Sequence, residues 1–206
     1  MDFSGVQSLK SSFHLGIKHK GQTKGSFEGL MLYKQPDLLY LKFFGPFGLT
    51  LAEAVFIKGT FQLLITPNDT MYTGPVPFTR LIPYSKALSG LASFIEEAGD
   101  LYILYSLNLS GSEAMLKGKF YFDRQTEKWK GIELYSERKQ FLKLDIQKIN
   151  DRVPVIFSIR IKDAEFFIEL QNPEINRELP EDYFRSLEAS KNLPFSDFLR
   201  SLDPAR

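Results

Sequence analysis

The sequence has no cysteine, two histidines and one tryptophan in 206 residues. Without cysteine the chain can form no disulfide, no thiolate metal site and no cysteine nucleophile. His14 and His19 have an odd spacing, which places them on opposite faces of a strand, so they cannot chelate one metal locally. Nucleotide-binding loops and the serine-hydrolase elbow are also missing. We therefore expect no enzymatic activity, no cofactor and no metal.

The sequence also lacks an excess of either positive or negative residues, and it has no long apolar run. Lys and Arg number 26 against 25 Asp and Glu, so nothing steers the chain towards nucleic acid, and we expect no such partner. No apolar run approaches the ~18 residues of a membrane helix. The first residues show neither the basic start nor the apolar stretch of a signal peptide.

Apolar and aromatic residues, by contrast, are plentiful, at 43% and 14% of the chain. Their alternation with polar residues predicts about ten or eleven strands joined by short turns, and hence an antiparallel meander. A twisted sheet of that size must curl. It either closes as a barrel or stays open, with a helix and the proline-rich residues 74–85 covering its concave face.

One internal helix is predicted over Ser85–Ala98. Ser85 is a suitable N-cap and Gly99 a suitable stop, and Leu88, Leu91 and Ile95 recur at helical spacing. A second, short helix is predicted near the end of the chain, over Ser196–Leu202.

The loop at residues 45–49 (GPFGL) is unusually apolar. Turns between exposed strands usually contain Asn, Asp, Ser and Gly, whereas this one contains Phe47 and Leu49. Either the rest of the chain covers it, or it contacts something apolar.

Strands over residues 27–33, 38–44 and 101–107 are apolar on both faces. A meander with one wet face would alternate more cleanly. One face is therefore expected to meet a second layer and the other a cover or a cavity. A cavity lined by aliphatic and aromatic side chains suits lipid tails.

Several short motifs, in order, resemble one known family. They are GSF at 25–27, KQPDLLYL at 34–41 and GPFG at 45–48, with a weaker likeness in LQNPEIN at 170–176 and LPEDYF at 179–184. This order is similar to that of the LolA/LolB lipoprotein-carrier superfamily, which comprises periplasmic lipoprotein localisation factors. The likeness covers residues ~10–75 and ~165–186.

The resemblance implies an α+β, mainly β fold: a strongly curved antiparallel sheet, or incomplete β-barrel, with a helical lid over its concave face. We expect one half-barrel domain over residues 1–186 and a tail with a short helix over 187–206. It also implies a periplasmic location, in some members with a lipoprotein anchor to the outer membrane. The leader that carries such an anchor would lie outside this sequence.

The function implied is binding of lipid acyl chains or lipoproteins in an apolar cavity, for transport or insertion at the bacterial outer membrane. The expected partners are a lipid or acylated lipoprotein and a membrane surface, and the protein is expected to be a monomer. The cavity is expected to be lined by strand residues Phe27, Met31, Leu39, Leu41 and Phe43 and lid residues Leu88, Leu91 and Ile95.

Phe47 and Leu49 match the loop that, in the LolB branch, projects an apolar side chain towards the membrane. One departure concerns the lid: LolA-type carriers have an arginine in the strand after the KP turn that helps hold it, whereas here residues 40–42 read Tyr-Leu-Lys.

Two alternatives stay open at this point. One is a structural or interaction lipoprotein of the outer membrane, with a filled core and an apolar loop that contacts a membrane or partner. The other is a hydrolase of a lipid-like substrate, although no nucleophile–base pair is visible.

Overall fold

The computed structural model describes residues 5–75, 92–110, 113–136, 139–150, 153–161 and 163–201. These residues form fourteen strands, one short α-helix and several 3₁₀ turns. The strands are β1 (Ser8–His19), β2 (Gln22–Lys34), β3 (Leu38–Phe44), β4 (Thr50–Ile57), β5 (Thr60–Ile65), β6 (Thr70–Pro75), β7 (Ala92–Ala98), β8 (Leu101–Ser110), β9 (Glu113–Asp123), β10 (Trp129–Ser136), β11 (Lys139–Asn150), β12 (Val153–Ile161), β13 (Ala164–Ile175) and β14 (Lys191–Pro194), and the helix is α1 (Phe195–Ser201).

The strands join in the hydrogen-bonded order β14-β6-β5-β4-β3-β2-β1-β13-β12-β11-β10-β9-β8-β7. Short turns between successive strands favour antiparallel neighbours, and β14 beside β6 is parallel. Within the described part of the chain the sheet thus has two ends and is not closed. A mainly β, antiparallel fold is confirmed, but the predicted number of ten or eleven strands was too low.

The predicted helix over Ser85–Ala98 is wrong for its second half, because Ala92–Ala98 is strand β7. Gly99, with a φ of 60°, lies in a tight turn rather than ending a helix, and β7 folds back antiparallel onto β8. The hairpin is reinforced by a parallel stack of the Phe94 and Tyr105 rings, 4.4 Å apart. A run of only seven residues fits both the helical and the strand period, and the pairing with the neighbouring strand determines that it is a strand.

The consequence for the lid is direct. Ile95 lies on β7 with 68% of its surface exposed, so it is not part of a covering helix. Leu88 and Leu91 lie outside the described residues. A helical lid is not seen in the described parts of the chain, and that part of the predicted fold class is not supported.

The chain divides into two compact units, and each is described by itself. Unit 1 comprises Met1–Phe3, Leu15–Ser26 and Ile82–Glu169, and unit 2 comprises Ser4–His14, Phe27–Leu81 and Leu170–Arg206, in so far as these residues are described. The predicted division at residues 1–186 and 187–206 stays a prediction. The predicted helix near the end of the chain corresponds to α1, one residue earlier than expected.

Candidate functional site

One face of unit 2 carries the five strand residues that were predicted to line the cavity. Side chains opposite one another in neighbouring strands share a face, and alternate residues along a strand do too. Met31 lies opposite Leu41, and Gly29 opposite Phe43. By this alternation Phe27, Met31, Leu39, Leu41 and Phe43 share one face of β2 and β3. All five side chains are half-buried; their role in binding stays a prediction.

The same face continues across the next strands. We call it the Leu41 face, and its central row, read from β2 to β6, is Met31, Leu41, Ala54, Leu63 and Tyr72. Every member is apolar or aromatic, so the face offers almost no hydrogen-bonding side chains. Ala54 and Leu63 are buried, whereas Met31, Leu41 and Tyr72 are half-buried. Such a surface can bury hydrocarbon but cannot orient a polar substrate by charge.

Gly29 allows a close approach at this face. A Cβ at Gly29 would lie 2.2 Å from the Cζ of Phe13 and 2.5 Å from the backbone oxygen of Lys42. The Phe13 ring therefore occupies the space that a larger residue at position 29 would fill. It also makes an edge contact with Phe43, with ring centroids 5.5 Å apart.

The opposite face of unit 2 is packed under the C-terminal segment. Leu32, Tyr40 and Val55 form a core with Leu179, and Phe184 packs against it. Tyr40 is only 4% exposed and Val55 is 0% exposed. This explains why β3 is apolar on both faces: one side supports the segment that follows β13, and the other is the Leu41 face.

One partly buried polar network lies beside that core. The Tyr40 hydroxyl donates to Oε2 of Glu53 at 2.9 Å, and Nζ of Lys42 lies 3.2 Å from Oε1 of the same carboxylate. Burial, and then the hydrogen bond to Glu53, raise the pKa of Tyr40. Lys42 on β3 thus forms an ion pair with Glu53 on the neighbouring strand β4.

Two surface carboxylates hold the C-terminal segment. Asp69 accepts the backbone N–H of Ser190 at 3.0 Å, and hydrogen bonds from Ser190 lower the pKa of Asp69. Glu181 accepts from Nζ of Lys34 at 2.7 Å, and this contact lowers the pKa of Glu181.

Unit 1 has its own apolar face, which sequence reasoning missed. The strand registers align one apolar residue from each of six strands, β8 to β13, in a single row. We call this the Leu104 face, and its row is Leu104, Phe120, Ile132, Leu144, Ile159 and Phe166. Each strand shows the alternation in the sequence, but their alignment requires the register.

The other side of unit 1 carries a row of charged residues. The adjacent row, from β9 to β13, is Lys119, Glu133, Lys143, Arg160 and Glu165. The Tyr135 hydroxyl donates to Glu133 at 2.6 Å, and burial together with this bond raises the pKa of Tyr135 to about 12. The contrast identifies the Leu104 face as the side suited to hydrocarbon and the charged row as the side suited to water.

The loop between β3 and β4 leaves its apolar side chains in solvent. Phe47 is 100% exposed and Leu49 is 66% exposed. The loop is ordered by backbone hydrogen bonds, including that from the Gly45 N–H to the Leu49 carbonyl at 2.8 Å. Phe47 has a φ of 61°, a left-handed conformation that is uncommon for a bulky residue. Of the two readings of this loop, the covered one is wrong.

The described residues contain no candidate metal site. Their histidine and acidic side chains form no group of three or more that could hold a metal ion. His14 instead contacts Glu28, with Nδ1 and Oε1 2.8 Å apart. Within the same residues, no helix has both the length and the apolar character needed to cross a membrane.

Comparison with solved structures identifies the fold. A DUF1329 family protein from Desulfovibrio piger superimposes with a TM-score of 0.64 at 12% identity, over 87% of this chain and 90% of the other. A LolA superfamily protein from Nitrosomonas europaea gives 0.62 at 9% identity, over 88% and 91%. An outer membrane lipoprotein-sorting protein domain from Vibrio parahaemolyticus gives 0.62 at 8% identity, over 86% and 89%.

At the level of sequence, no protein-family model and no curated protein matches the chain. The structural likenesses nevertheless agree with one another and extend over most of both chains in each pair. The chain therefore has a LolA-like fold, and the family resemblance noted in the sequence is confirmed at that level.

Proposed function

We propose that this chain, which has a LolA-like fold, binds lipid acyl chains or acylated lipoproteins on its apolar sheet faces and works in the bacterial envelope, in the periplasm or at the outer membrane. The observation that carries the proposal is the segregation of side chains in the strand registers. The Leu41 face of unit 2 and the Leu104 face of unit 1 are apolar across successive strands, while a row of charged residues lies on the opposite side of unit 1.

The energetics of such binding come from burial alone. Each methylene removed from water contributes ~0.8 kcal/mol, so about ten of them supply the ~8 kcal/mol of a micromolar complex, before the cost of association is subtracted. No catalytic group is required, because the ligand is released unchanged. The structural relatives support this reading, since one is named for lipoprotein sorting.

A fluorescent fatty acid whose emission rises in apolar surroundings tests the proposal. We expect saturable binding to the wild-type chain and a loss of at least tenfold in Leu41→Glu, because a carboxylate at a half-buried position must be desolvated. Thr60→Glu is the matched control, since Thr60 is an exposed position on β5. Absence of binding to a folded wild-type protein would overturn the proposal.

The exposed loop suggests how the protein reaches its ligand. We infer that Phe47 and Leu49 insert into the surface of a bilayer, where their apolar side chains leave water. The left-handed backbone at Phe47 supports this role, because the residue gains nothing from packing within its own chain to offset that conformation.

Co-sedimentation with vesicles of phosphatidylethanolamine and phosphatidylglycerol tests the loop. We expect Phe47→Ser to reduce vesicle binding severalfold while fatty-acid binding is unchanged. Phe141→Ser is the control, because Phe141 is another exposed phenylalanine, on β11. Equal vesicle binding by the two variants would refute the inference. Vesicle binding without fatty-acid binding would favour instead an interaction lipoprotein with a filled core.

A further inference from the structure

Helix α1 covers one end of the Leu41 face. The ring of Phe195 packs against Phe61 with centroids 5.0 Å apart, and that of Phe198 against Tyr72 at 5.3 Å. The registers place Phe61 and Tyr72 on the Leu41 face. Two strands of that face, a width of about 10 Å, thus lie beneath aromatic rings from the end of the same chain.

Strand β14, which immediately precedes α1, holds the helix in this position. β14 runs parallel to β6, with Leu193 opposite Tyr72, and leads directly into α1. At the start of this strand the N–H of Lys191 donates to the Asp69 carbonyl at 3.3 Å, next to the contact between Ser190 and the Asp69 carboxylate.

Gly74 allows α1 to pack closely against β6. A Cβ at position 74 would lie 3.1 Å from the Cβ of Phe195, which is tighter than ordinary van der Waals contact. The helix therefore rests almost directly on the backbone of β6. At the β2–β3 end of the same face, Met31, Leu41 and Phe43 stay half-exposed.

We propose that Phe195 and Phe198 form the end wall of the acyl-binding surface of unit 2 and set the longest chain that this surface accepts. The inference rests on the proposed acyl-binding function. An acyl chain lying across the Leu41 face from β2 meets the two rings at β5 and β6. Methylenes beyond that point stay in water and add no affinity.

The test is the chain-length profile, measured by displacement of a fluorescent fatty acid with dodecanoic, hexadecanoic and icosanoic acid. The wild-type affinity is expected to rise and then level off. In Phe195→Ala/Phe198→Ala the plateau moves to longer chains, and two further buried methylenes correspond to about a tenfold gain for icosanoic acid. Phe198→Trp enlarges the wall and is expected to weaken hexadecanoic acid while dodecanoic acid is unaffected.

Tyr183→Ala is the matched control. It removes an aromatic ring from the same C-terminal segment, but one that packs on Tyr40, on the other face of unit 2. Its chain-length profile should equal that of the wild type. This result would distinguish a specific effect of Phe195 and Phe198 from a general loosening of the C-terminal segment. If the folded variants, verified by circular dichroism, all keep the wild-type profile, the end wall is overturned while acyl binding stands. If the wild type displaces no probe with any acid, acyl binding itself fails, and the wall with it.

Discussion

Replacing Gly29 with alanine tests the packing of Phe13 on the Leu41 face. The added Cβ would lie 2.2 Å from the Phe13 ring and 2.5 Å from the Lys42 carbonyl oxygen. The ring can rotate away, but the oxygen belongs to the backbone of the paired strand β3 and cannot move without disturbing the register. Overpacking of this kind costs about 1–3 kcal/mol, and the involvement of backbone places Gly29→Ala at or above the upper value.

Urea denaturation followed by circular dichroism measures the effect. We expect the unfolding midpoint to fall with an unchanged slope, because the same surface is exposed on unfolding. Gly16→Ala is the control: its Cβ would meet only the Cβ of Phe167, at 3.8 Å, an ordinary contact. That variant should be neutral, or more stable by up to about 1 kcal/mol, because alanine restricts the unfolded chain. A loss below about 0.5 kcal/mol in Gly29→Ala would refute the packing described.

Three further predictions address the hydrogen bond between Tyr40 and Glu53, the exposed loop and the C-terminal segment. Tyr40→Phe removes the hydrogen bond to Glu53 and should lower the free energy of unfolding by about 1–2 kcal/mol in urea titrations; no change would mean that the bond adds nothing. Phe47→Gly should raise the free energy of unfolding by up to about 1 kcal/mol, since glycine accepts a positive φ, and should weaken vesicle binding. A loss of stability would contradict the inference that the backbone at Phe47 is strained. The pKa values of Asp69 and Glu181 are lowered in the folded chain, so their support of the C-terminal segment is complete above the ordinary values of 3.8 and 4.5 and is lost as the pH falls through the lower, folded values. A fluorophore on a single cysteine introduced into α1 should therefore gain mobility in that acid range, and constant anisotropy down to acid unfolding would speak against the two contacts.

Local pattern predicted much of the fold. The alternation of Leu142, Leu144 and Ile146 with polar residues predicts β11, and the structure has that strand. Strand β7 was missed because its seven residues fit a helical spacing as well as an alternating one, and only its pairing with β8 decides between them. Strand β14 was missed because four residues ending in proline show no period.

The candidate site depends more on register than on pattern. The sequence indicated Leu39, Leu41 and Phe43 as a wall but could not show which residues of the neighbouring strands share their face. It gave no sign that α1 would cover the β5–β6 end, because that contact joins segments far apart in the chain. The sequence left open whether Phe47 is covered by the rest of the chain or exposed, and the structure shows that it is exposed.

The most direct test of acyl binding is photo-crosslinking with a fatty acid that carries a diazirine near its methyl end, followed by mass-spectrometric mapping of the labelled residues. We expect labels on the Leu41 face or the Leu104 face, with protection by excess unlabelled hexadecanoic acid. Labels confined to the charged row from Lys119 to Glu165, or labels that excess ligand does not suppress, would contradict the assignment of these faces as the acyl-binding surface.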